Sequence, residues 1–166
     1  MRIVEPFLQE LDQEAATTRR VLERVPEDKL AWRPHPKSFS LGQLALHVAQ
    51  IPGVVAGFVA GPTLALPGSF QQAPATSRSE ILSALDASVA KAKEVLGGFD
   101  DTTAASTWTL TSGDRTLMSF PRVGVVRALM LNHWYHHRGQ LSVYLRELDV
   151  PLPSIYGPSA DENPFG

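Results

Sequence analysis

Four stretches of the chain repeat their apolar residues at helical spacing. From Glu5 to about Arg24, the residues Val4, Phe7, Leu8, Leu11, Ala15, Thr18, Val21 and Leu22 recur at intervals of three and four, with Gln9, Glu10, Gln13, Glu14, Arg19 and Arg20 between them. This is the pattern of an amphipathic helix. Pro6 fits its first turn and Pro26 closes it. Residues 25–39, with Pro26, Pro34 and Pro36, form a loop made rigid by proline, plugged onto the core by Leu30 and Trp32. Ser40-Leu41-Gly42-Gln43 is a capping box and opens a second helix, whose Leu41, Leu44, Ala45, Val48 and Ile51 share one face. Pro52-Gly53 predicts a kink or stop, with Val54 to Ala60 as a short resumed turn.

Between Gly61 and Thr76 the sequence has no period and reads as a long surface connection. Ser77-Arg78-Ser79-Glu80 is a second capping box, starting a helix to about Leu96 that buries Ile81, Leu82, Leu85, Val89, Ala92 and Leu96 and stops at Gly97-Gly98. Alternation from Thr107 to Met118 around Ser112-Gly113-Asp114 predicts a small hairpin. Pro121 then stands near the start of a fourth helix to about Leu148, with Val125, Val126, Leu129, Met130, His133, Trp134, His137, Leu141, Tyr144, Leu145 and Leu148 inward. Asp149 to Gly166 is a proline-punctuated tail. The fold class that follows is all-α, a four-helix bundle in a single domain over residues 1–166.

Composition narrows the chemistry. A net charge of -2 leaves no basic field for a phosphate backbone, so a nucleic-acid partner is not expected. With no cysteine, the chain has neither disulfides, nor thiolate ligands, nor a cysteine nucleophile. The N-terminus lacks the basic start and apolar run of a signal peptide. No apolar stretch is read as approaching the roughly 20 residues that span a bilayer, and the expected compartment is the cytoplasm.

Three of the five histidines fall in Leu131-Asn132-His133-Trp134-Tyr135-His136-His137-Arg138-Gly139-Gln140-Leu141. At about 100° per residue, His133 and His137 lie about 40° apart and converge, whereas His136 turns away. An i, i+4 histidine pair is half of a metal site. His47, beside Leu44 and Ile51 on the second helix, is the candidate third ligand, and His35 lies in a loop between two prolines. The alternatives are a solvated histidine patch and a core-edge His47 satisfied by a carbonyl. Gln140 and Tyr144 fall near the middle of the His133–His137 face, within reach of a bound water or substrate, with plain packing as the alternative for Tyr144. Arg138 and His136 are expected to make surface or subunit contacts. Trp32 and Trp134 are expected in the core.

The run His-x-x-x-His-Arg-Gly-Gln-Leu at His133 to Leu141, with Asn132 before it, Tyr144-Leu145-Arg146 after it, His47 upstream and Trp32-Arg33-Pro34 ahead of the second helix, resembles the DinB/YfiT-like superfamily of bacterial damage-inducible proteins. The resemblance implies an up-down-down-up bundle, usually a homodimer, in which His47, His133 and His137 hold a divalent metal, most often zinc or nickel, with iron and manganese as further candidates. Characterised relatives are thiol-dependent transferases and isomerases, such as bacillithiol and mycothiol enzymes. The expected partners are therefore a small-molecule substrate and a low-molecular-weight thiol. A metal-dependent hydrolase and a non-enzymatic stress-response module with a structural metal stand as alternatives. Pro52-Gly53 departs from the family pattern and predicts an interrupted pocket wall just after His47.

Overall fold

The computed structural model describes residues 1–166 except Pro67 and Phe70, which fall in the connection after the second helix. The first stripe becomes α1, Glu5–Leu22, with proline in its first turn and Leu11, Thr18, Val21 and Leu22 buried. α2 is Leu41–Ala60 and α3 is Arg78–Gly97. A one-turn α4, Asp101–Ala105, starts at Asp100, whose carboxylate accepts from the Thr103 amide at 2.7 Å. The last long helix runs without a break through α5, Arg122–Val125, a π-wound stretch, Val126–Asn132, and α6, His133–Glu147.

Side-chain pairings fix the direction of each helix. Glu10 pairs with Arg127 and Glu14 with Arg138, so α1 and α6 run the same way. Asp12 pairs with Lys93 and Arg19 with Asp86, so α3 opposes α1. Ala75 donates to the Gly42 carbonyl and Gly53 to Ser88, so α2 and α3 run in parallel. The order is up-down-down-up, and the long link between α2 and α3 exists because parallel neighbours need a chain return.

That link is more than a surface connection. Thr63–Ala65 forms β1, which pairs in parallel with β2, Thr107–Ser112. β2 and β3, Arg115–Pro121, form the expected hairpin, with a bulge at Leu110/Thr111 and the turn carried by Gly113 at φ 55°. Trp108 of β2 is fully buried, and its indole donates to the Phe58 carbonyl at 2.8 Å, fastening the sheet to the last turns of α2.

The expected break at Pro52-Gly53 does not occur. Proline cannot donate to the Val48 carbonyl one turn back; the Trp134 indole N–H does so instead, at 2.8 Å. The Gly53 amide donates to Ser88 Oγ at 2.7 Å, and that hydroxyl in turn donates to the Gln50 carbonyl at 3.0 Å. A Cβ on residue 53 would stand 2.8 Å from Ser88 Cα, so glycine is what admits α3 this closely. α2 is consequently 20 residues long with a mean hydropathy of 1.5, which by length and composition is enough to cross a bilayer, contrary to the sequence reading. Here it is the central helix of the bundle, packed between α3 and α6.

Three further expectations change. Ser77 does cap α3, accepting from the Glu80 amide at 3.1 Å, but the Glu80 carboxylate turns to the Thr76 amide and hydroxyl, so only half of the second capping box forms. The π winding adds a residue to its turn and buries Leu131 beside Met130, while Leu129 faces a cavity. Arg138 is 1% exposed rather than at the surface. Its guanidinium meets Glu14 at 2.6 Å and donates to Thr18 Oγ1 at 3.0 Å and to the Tyr156 hydroxyl at 2.6 Å, tying α6, α1 and the tail together. The tail is held again by ion pairs from Arg20 to Glu162 and from Arg146 to Asp161.

Candidate metal centre

His47 stands in the second turn of α2, and His133 and His137 stand one turn apart at the start of α6. α2 and α6 cross side by side, so the three rings meet. Their centroids are 5.4 Å apart for His47 and His133, 4.6 Å for His47 and His137, and 4.4 Å for His133 and His137. Each pair is close to perpendicular, at 88°, 84° and 85°, which turns the three rings toward one point rather than stacking them. One nitrogen from each ring lies within 4.8 Å of the others. His47 Nε2 and His133 Nε2 are 3.3 Å apart, the spacing that two nitrogens about 2.1 Å from a shared ion adopt in a tetrahedral arrangement.

The protonation state suits a cation. Burial pushes the pKa of each of the three imidazoles below its ordinary value, and a neighbouring histidine of the cluster pushes it lower still. Neutral rings offer lone pairs, and the surroundings decide on which nitrogen. The Ala73 carbonyl can only accept, so the Gln72 atom 3.2 Å from it is the amide nitrogen, which also donates to Gln50 Oε1 at 3.2 Å. Gln72 Oε1 therefore faces His47 Nδ1 at 3.1 Å and requires a proton there, which leaves Nε2 as the lone pair aimed at the cluster. His137 repeats the arrangement, with Nδ1 at 2.7 Å from Gln140 Oε1. Such outer partners fix ligand tautomer and ring orientation in metal sites.

The sequence-derived candidates divide accordingly. His47, His133 and His137 come together, and among the described residues they form the His/Asp/Glu cluster able to hold a metal ion. His136 is exposed, beside His137 but outside the cluster, and His35 is in its loop. Gln140 stands behind His137 and is exposed. Tyr144 donates to the Phe39 carbonyl at 3.3 Å and meets Trp32 edge-on, while the Phe39 ring stands edge-on to His47.

A cavity of about 460 Å³ opens above the three rings. One wall is the α2 face His47, Gln50, Ile51, Val54, Val55 and Phe58. The opposite wall is Leu129 with His133 and His137, and Phe39, Leu64, Leu66 and Gln72 complete the lining. The wall after His47 is thus continuous. Its residues follow one another at steps of three and one, where the proline predicts a kink or stop with only a short resumed turn beyond it. Gln72 gave no signal, because it lies in the aperiodic stretch and acts only where that stretch folds back on α2.

A family model described as the DinB superfamily matches residues 10–141, and the chain belongs to that superfamily. It is 24% identical over 156 residues to the uncharacterised protein YrdA of Bacillus subtilis, covering 94% of this chain and 89% of that one. In fold it is similar to a DinB-like protein of Bacillus cereus, with a TM-score of 0.73 and 23% identity over 92% of this chain and 97% of the other. A DinB-like protein of Bacillus subtilis, YjoA, superposes with a TM-score of 0.69 and 16% identity, covering 91% and 98% of the two chains.

Proposed function

We propose that the protein is a divalent-metal-dependent enzyme acting on a small electrophile, an S-transferase or isomerase that uses a low-molecular-weight thiol as cosubstrate. The observation that carries this reading is the position of the three imidazoles at the end of a substrate-sized cavity. A structural site is closed by a fourth protein ligand, whereas a catalytic site keeps a position open. The donor set fits zinc or nickel, and iron or manganese less specifically, since neutral imidazole suits all of the late divalent ions. Bound by His47, His133 and His137, such an ion would supply the Lewis acidity that turns a thiol into a thiolate near neutral pH.

The chain's own residues do the rest. Gln72 and Gln140 hold the imidazoles in the ligating tautomer. The apolar walls keep water from competing with the thiol and strengthen electrostatics at the reacting end. Tyr144 acts through the backbone of Phe39, keeping that ring against His47. Among the described residues no carboxylate, lysine, arginine or tyrosine lines the cavity. Hydrolysis of an ester or amide asks for a group that carries a proton to the leaving group. Thiol conjugation needs no such group: a displaced halide leaves as the anion while the thiol's proton goes to solvent, and an opened epoxide's alkoxide takes a proton back from solvent, which favours the transferase. A homodimer in the cytoplasm completes the proposal, and sedimentation equilibrium measures the former.

The test is metal content and uptake by the purified protein, followed by activity panels on the metal-loaded form. Zinc or nickel at close to one equivalent, with conjugation of an aryl halide or epoxide only when 2-mercaptoethanol or another thiol is added, supports the reading. Turnover of esters, amides or lactones without thiol replaces it by hydrolysis. Failure to bind metal removes it, and a metal that raises the melting temperature with no turnover in any panel reduces the site to a structural staple.

A further inference from the structure

The cavity has a direction. Its α2 wall runs from His47 through Gln50, Ile51, Val54 and Val55 to Phe58, and at about 1.5 Å of rise per residue that stripe is roughly 16 Å long. The histidine end is polar and the remainder is apolar. No charged side chain lines the cavity among the described residues. An ionic ligand would give up its hydration without gaining a partner along this length. Near the mouth, Val54 and Leu66 are 45% and 50% exposed, which presents apolar surface to an entering molecule.

The polar end has one donor to spare. The Gln72 amide is fully engaged by His47, Ala73 and Gln50. Gln50 Oε1 accepts from Gln72, whereas Gln50 Nε2 donates to no protein atom among the described residues while its side chain lines the cavity. Gln50 follows His47 by three positions on one helix face, where side chains are neighbours about 5–6 Å apart at Cβ.

We propose that the cavity binds an uncharged, elongated, apolar molecule carrying a hydrogen-bond acceptor at one end, laid along α2 with that acceptor taken by Gln50 Nε2. The size suits a small-molecule site, which typically spans about 300–1,000 Å³. That the acceptor end is also the reacting end rests on the metal-dependent reading above; the uncharged, apolar character of the ligand does not.

The experiment uses the full chain, once freed of metal by chelation and once after zinc addition, with the neutral fluorophore N-phenyl-1-naphthylamine as the bound probe. Methyl octanoate and octanoate then compete for its place. In the metal-free protein the ester should displace the fluorophore at a concentration at least about tenfold lower than the carboxylate, because only the carboxylate buries an unpaired charge. Gln50→Leu should weaken the ester about fivefold to tenfold relative to the fluorophore, whose affinity is measured directly on the same variant, with the melting temperature as the check on folding. Octanoate competing as well as the ester in the metal-free protein, or no displacement by either, overturns the proposal. Ester preference without zinc uptake supports it while removing the metal-dependent reading; zinc uptake without ester preference removes this inference and leaves that reading standing.

Discussion

Trp134→Phe tests how α2 survives a proline in its interior. Trp134 and Val48 are both fully buried, and the indole N–H is the donor that the Val48 carbonyl receives at 2.8 Å. Phenylalanine keeps most of the packing but leaves that carbonyl without a partner, a cost of about 1–3 kcal/mol for a buried acceptor. The smaller ring adds on the order of 1 kcal/mol for the space it leaves. A total near 3 kcal/mol corresponds to a fall in melting temperature of about 6–12 °C for a chain of this size. The value alone would not identify the cause, so the substitution is combined with Pro52→Ala, which restores a backbone N–H able to bond Val48. In that background the orphaned carbonyl is absent and Trp134→Phe should cost about 1–2 kcal/mol less. Urea unfolding followed by circular dichroism gives the four stabilities of the cycle. If the two substitutions add within about 0.5 kcal/mol, the indole is not standing in for the missing amide and the account is wrong.

Gln140→Ala removes the acceptor behind His137 while changing an exposed side chain, and should weaken zinc binding about tenfold or more with little effect on unfolding, as read by competition with a chromogenic chelator; unchanged affinity would show that the tautomer of His137 is held otherwise. Gly53→Ala should cost about 1–3 kcal/mol in a thermal or urea transition, because its Cβ meets the Ser88 backbone, which cannot swing away, as well as the Ser88 hydroxyl; a neutral effect would mean that α2 and α3 separate readily. The Arg127 guanidinium, joined by the Tyr135 hydroxyl, holds the Glu10 carboxyl below its usual 4.5. A depressed carboxylate contributes stability above its unfolded pKa and loses it as pH falls through its folded one, so Glu10→Gln should flatten the decline in stability below about pH 4.5, and an unaltered acid limb would contradict the pairing.

The parts of the fold that were legible in the sequence are those whose causes are local. The capping box at Ser40 and the hydroxyl cap at Ser77 bind amides three residues ahead, and the stripes of α1 and α3 need only a periodicity. The parts that were not legible depend on distant partners. β1 is three residues long and exists as a strand because β2, over 40 positions later, offers it an edge. Arg138 reads as a surface residue by type; Glu14 and Thr18 on α1 make its burial affordable. The π-wound stretch before His133 has no proline or glycine pair within it to announce it, and I-to-next-turn spacing alone predicts an ordinary helix there.

The metal centre divides along the same line. The histidines were found by spacing, because i and i+4 positions converge on any helix, and His47 by its place on an apolar face. The groups that orient their rings were not: Gln72 sits in a stretch without pattern, and its amide orientation is dictated by the carbonyl of its own neighbour, Ala73. The wall beyond His47 was misread for a related reason. Its continuity comes from bonds made to the α2 backbone by other elements: Ala75 at Gly42, Trp134 at Val48, Ser88 at Gly53 and Trp108 at Phe58. These four attachments are spread along the helix from its first turn to its last. The one from Trp134 replaces what proline removes, and the four together tie the helix carrying His47 and Gln50 to its neighbours. A helix that stopped at Pro52 would keep the three histidines and lose the apolar length of the cavity. The interactions that hide α2 from a sequence reading are therefore the ones that give a three-histidine cluster able to hold a metal a cavity of about 460 Å³ beside it.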